Sequence, residues 1–147
     1  MTTTQIQPNT NRLLQAYSSC AVAAALRAGG FEVGDLALPD DADPTDNNWW
    51  TDPDIAASDD YPSTLLVGDL AAWKAACQLG VPAIPGDSAQ QHYQDLYGND
   101  PDAKAQHYPD ATAFIENNWP MISYAANTLA KVGSIAGPAL ANLFQYD

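Results

Sequence analysis

The sequence predicts an all-α fold: five or six short helices, a long acidic ordered loop and an extended N-terminal arm. Three observations carry this. Apolar residues recur at three- and four-residue steps over several stretches. Each stretch opens at a capping residue and closes at glycine or proline. Alanine is abundant, with 26 in 147 residues, which suits closely packed helices around a thin core. A chain of this length buries enough surface to fold as one domain without a metal or disulfide. The expected organisation is an arm over 1–10 and one helical domain over 11–147, with the loop 35–62 inserted.

Residues 1–9 are polar and read as the extended arm. Thr10 or Asn11 then caps a helix to about Ala28, stopped by Gly29 and Gly30. Leu14, Tyr17, Ala21 and Ala24 form its packing stripe. From Asp35 to Asp60 the composition changes: nine aspartates, three prolines, the pair Trp49 and Trp50, and no Lys or Arg. Such a stretch does not sustain a long helix and reads as either a functional loop or disorder, with an ordered loop the expectation. Thr64 to Val67 is expected to be a short extended piece. Asp69 caps a helix to Leu79, closed by Gly80 with Pro82 and Pro85 beyond.

Asp87 opens another helix through Tyr97, with Ser88 and Gln91 spaced as a capping box and Gly98 at the far end. Asp100 followed by Pro101 starts a short helical turn, and Asp110 caps a helix to about Asn117. The last segment runs from Pro120 to Phe144, kinked or ended at Pro138. Within it Ile122, Ala125, Leu129, Val132, Ala136, Ala139 and Leu143 make a heptad-like seam, and Ser123, Asn127, Lys131 and Ser134 a polar stripe.

The formal net charge is -13, from five Lys and Arg against 16 Asp and 2 Glu. Aspartate suits caps and turns, so the acidity belongs mainly to connections. Direct nucleic-acid binding is not expected, because phosphates need clustered Lys and Arg. Cys20 and Cys77 lie in alanine-rich stretches and read as buried free thiols, not as a disulfide framework. Leu13 to Leu26 resembles a signal-peptide core, but Gln15, Tyr17, Ser18 and Ser19 interrupt it and no cleavage is expected.

Asp40, Asp41, Asp43, Asp46, Asp52 and Asp54 offer the hard oxygen ligands that calcium takes. No glycine or closing glutamate falls where an EF-hand loop needs one, so a solvated acidic loop is expected, with no metal and no cofactor. Gln15 ahead of Cys20 loosely resembles the arrangement in papain-like peptidases, where a later histidine acts as base. Cys20 falls mid-helix, lacks the usual following glycine, and has only His92 and His107 as candidate bases, so no catalytic residue is assigned. There is no phosphate-binding glycine loop, no GxSxG elbow and no HExxH.

The expected partner-binding residues are Trp49 and Trp50, large aromatics of the type that anchors interfaces, and Gly133 and Gly137, a GxxxG step that lets another helix approach closely. Asn127, Lys131 and Pro138 interrupt the C-terminal apolar run, so membrane contact by that helix is the less favoured reading. Richness in Asp, Asn, Thr and Pro with scarce Lys and Glu is familiar in virion proteins. The expectation is a non-enzymatic structural or assembly subunit, in a virus or bacteriophage particle, whose partners are other protein subunits. The alternatives are a cytoplasmic acidic decoy that presents carboxylates to a nucleic-acid-binding protein, and a thiol hydrolase.

Overall fold

Three long helices carry the structure. The computed structural model describes residues 3–31, 36–37, 53–58, 61–82, 88–98 and 100–143. Among these, α1 spans Thr3–Ala28, α3 Tyr61–Leu79 and α5 Pro101–Val132. The shorter α2 (Pro53–Ala56) and α4 (Ser88–Tyr97) precede α3 and α5, and α6 (Gly137–Leu143) follows. Two dipeptide strands, β1 (Leu36–Ala37) and β2 (Ser134–Ile135), pair antiparallel with Leu36 opposite Ile135. The all-α class is therefore correct, but α1, α3 and α5 at 26, 19 and 32 residues are not short.

The core is the common seam of α1, α3 and α5. Leu14, Cys20, Leu65, Leu66, Val67, Ile122 and Leu129 are its largest fully buried members on these helices. Between them lie Ala16, Ala21, Ala23 and Ala24 of α1, Ala71, Ala75 and Ala76 of α3, and Ala111, Ala125 and Ala126 of α5. Methyl side chains let the three backbones come close, and each larger residue contributes roughly 1.5–3 kcal/mol by burial. The stripe of Leu14, Tyr17, Ala21 and Ala24 is buried as its spacing predicts.

Several expectations need correction. The segment read as an extended arm is helical from Thr3 onward: once the buried part of α1 supplies a nucleus, each added residue gains a hydrogen bond at little further cost. Thr64–Val67 is not extended but lies inside α3, where Thr64, Leu65, Leu66 and Val67 are all buried. A helix covered on several sides shows a continuous apolar run, which period alone cannot tell from a strand. Asp110 and Pro120 do not begin new helices: α5 runs through them, with Pro109 and Pro120 both inside it. Both prolines are exposed, as are Ala105 and Glu116, whose carbonyls lose their amide partner; water can take that place.

The C-terminal segment departs furthest. Helix α5 stops at Val132, where Gly133 adopts φ 90° and its N–H returns to the Leu129 carbonyl. Gly137 begins α6, so Gly133 and Gly137 are a helix stop and a helix start, not a close-packing step along one helix. The heptad seam holds through Ile122, Ala125 and Leu129, then ends, leaving Val132 exposed. Arg12 of α1 donates from Nε to the Ala130 carbonyl at 3.0 Å, and a Cβ at residue 133 would stand 3.2 Å from Arg12 Nη2. A cation is well placed beside carbonyls at a helix C-terminus.

Of the acidic segment, α2 with buried Ile55 is described, and α3 reaches back to Tyr61. Trp49, Trp50, Asp40, Asp41, Asp43, Asp46 and Asp52 lie outside the described residues.

Candidate functional site

Cys20 occupies the middle of α1, fully buried on the side facing the core. Burial pushes its thiol up from 9.0 to about 12, because the thiolate would lose its hydration without gaining a partner. At neutral pH it is a thiol, a small apolar core residue and not a nucleophile. Gln15 is exposed. Cys77, read as buried, is exposed on α3: it lies one turn beyond exposed Trp73, on a face that neither α1 nor α5 covers.

The histidines serve a different cluster. His107 of α5 binds the Tyr93 hydroxyl through Nδ1 at 3.0 Å and meets the rings of Tyr93 and Tyr97 nearly edge-on. Tyr93 is fully buried and also contacts Tyr97 and Tyr108, while His92 stands edge-on to Tyr61. Burial raises the hydroxyls of Tyr93 and Tyr61 above their ordinary range, with smaller contributions from Tyr108, Tyr97 and Asp100 for Tyr93 and from Tyr97 for Tyr61. These rings hold the short α4 between α3 and α5. Isolated, ten residues would be too few for a stable helix.

A second polar group lies where α1, α3 and α5 meet. Tyr17 stacks on Trp119 with ring centres 5.0 Å apart and donates to, or accepts from, Ser123 Oγ at 2.8 Å. Lys74 Nζ lies 5.1 Å from the Trp119 ring centre and 3.0 Å from Glu116 Oε2. An exposed ion pair adds little, but the stacking and cation–π contact fix how the three helices register.

Among the described residues no group of His, Cys, Asp and Glu is placed to hold a metal ion. A cleft of about 180 Å³ lies between Ala25, Ala28 and Gly29 of α1's end, Ser63, Thr64 and Val67 of α3, and Asp110 and Phe114 of α5. It is smaller than the roughly 300–1,000 Å³ of sites that enclose cofactors. No described helix is long and apolar enough to cross a membrane.

The surface is more informative. Trp73, Leu79, Leu96, Tyr124 and Val132 are large apolar side chains that stand exposed. Sequence reading missed Trp73 and Tyr124, although both fall off the buried stripe of their helix once its phase is known. The chain matches no protein-family model, no curated protein and no solved structure.

Proposed function

We propose that this chain is a non-enzymatic structural or assembly subunit of a larger macromolecular complex, of the kind that builds a virus or bacteriophage particle. The observation that carries the reading is the exposure of Trp73 and Tyr124, at 59% and 64%, on a helical body with net charge -13. Single exposed leucines are ordinary on a monomer, whereas tryptophan and tyrosine are the residue types that anchor protein interfaces. The packed three-helix core suits a subunit that presents defined surfaces to its neighbours. The particle context is drawn from the Asp-, Asn-, Thr- and Pro-rich, Lys- and Glu-poor composition.

Solution mass by light scattering at several salt and protein concentrations tests this. The expected result is association that depends on concentration. A monomer under every condition overturns the assembly role.

A further inference from the structure

We propose that the outer face of α5, formed by Tyr124, Thr128 and Val132 with Lys131 at its edge, docks a second copy of this chain. The proposal rests on the assembly reading and names its contact surface. Tyr124 and Val132 are 64% and 62% exposed, and Thr128 lies midway, one turn from each, so the three share one line along the helix. Two polar side chains on this face are already bonded within it. Thr128 Oγ1 donates to the Tyr124 carbonyl at 2.9 Å, and Asn127 Nδ2 to the Ser123 carbonyl at 2.8 Å. A surface laid over them leaves these donors satisfied.

Charge selects the occupant. Two bodies of net charge -13 repel, and they meet most easily where neither presents a carboxylate. Residues 117–146 contain Lys131 and no Asp, Glu or Arg. Arg12 is held against the same end of α5 through the Ala130 carbonyl. A basic partner would favour the acidic remainder of the surface, whereas an acidic copy finds here a helix face that carries no carboxylate of its own, with two cations at one end. An antiparallel two-fold arrangement about Thr128 sets Tyr124 of each copy beside Lys131 and Val132 of the other. The chain already uses such a lysine-on-aromatic contact between Lys74 and Trp119.

The face runs about 18 Å from Pro120 to Val132 and is about 10 Å wide, so it covers roughly 200 Å², well below the roughly 800 Å² per side of a standard stable interface. The contact is therefore reversible in solution and becomes strong only when several act together.

Sedimentation velocity on the full chain, from about 10 µM to about 1 mM, at low and high salt, reads the outcome. The expected result is a dimer that strengthens with salt, because salt screens the repulsion between the acidic bodies. Tyr124→Glu and, separately, Lys131→Glu should weaken it at least tenfold, with unchanged circular dichroism since both side chains are exposed. Trp73→Ser should leave it intact. Dimerisation that survives both α5 variants overturns this face while the assembly reading stands; a wild-type monomer throughout overturns both. Flotation of the chain with phosphatidylcholine vesicles, lost in Tyr124→Glu, would assign the face to a membrane surface and overturn the second copy.

Discussion

Replacing Pro120 with alanine should stabilise the protein, and the sign of that change discriminates between two accounts of α5. In the continuous helix Pro101–Val132, Pro120 removes the amide that would bond the Glu116 carbonyl, and its ring crowds the preceding turn. Alanine restores one backbone hydrogen bond, a net gain of about 0.5–1.5 kcal/mol, and relieves the crowding. The full proline penalty in a helix interior, about 3 kcal/mol, is an upper bound, because the exposed Glu116 carbonyl is open to water. Loss of proline's stiffening of the unfolded chain subtracts about 0.4–1 kcal/mol. Taking roughly 2 kcal/mol for the restored bond and relieved crowding together, between those bounds, the expected net gain is about 1–1.6 kcal/mol. At about 2–4 °C per kcal/mol for a chain of this size, calorimetry should show Tm rising by several degrees. Pro109→Ala, which restores the bond to the exposed Ala105 carbonyl, should act the same way. If instead a helix began at residue 120, proline would occupy its first turn, where the amide is unpaired anyway. Alanine would then lower Tm slightly. A lower Tm for Pro120→Ala refutes the continuous helix.

Cys77 should react with a thiol reagent at neutral pH while Cys20 reacts only on unfolding, and equal rates would refute the burial of Cys20. Below pH 9 the Cys20 thiol is protonated in both folded and unfolded chains; between pH 9 and about 12 only the unfolded thiol ionises, so stability falls with rising pH by about 1.4 kcal/mol per unit. Denaturant titrations should therefore give a shallower alkaline slope for Cys20→Ala than for wild type, and parallel slopes would discard this linkage. Tyr93→Phe removes the hydroxyl bonded to His107 and should cost about 1 kcal/mol in urea unfolding, with a change in the His107 ring signals; an unaltered midpoint would show that the bond contributes nothing.

Much of the helix punctuation was legible because it is local chemistry. Gly30, Gly80 and Gly98 take φ of 91°, 71° and 56°, a region that glycine enters without steric penalty, and each stands where a helix was expected to close. Asp100 caps α5 by accepting from the amides of Asp102 and Ala103, with Pro101 following it as the sequence pattern requires. The stripe on α1 was readable at its start, where exposed Gln15 and half-buried Ser18 and Ser19 interrupt the apolar residues; beyond it Cys20 to Ala24 are all buried. By contrast, Trp49 and Trp50 lie outside the described residues, so the candidate site drawn from them is not placed. Gly133 and Gly137 share a spacing with helix-packing motifs, yet the chain turns between them.

The all-α class, the α1 stripe and these caps and stops follow from backbone sterics and short-range hydrogen bonds, which act within a few residues and need no partner. Packing settled the rest. Thr64–Val67 is helical because α1 and α5 together bury it, and that burial outweighs the preference of β-branched residues for strands, a term of only about 1 kcal/mol. Helix α5 runs through two prolines because its buried residues, from Ala111 to Leu129, lie on one continuous seam that offsets the two lost bonds. Cys77, Trp73 and Tyr124 face outward because helix phase is set by what the opposite side buries, a long-range quantity that neighbouring residues do not encode.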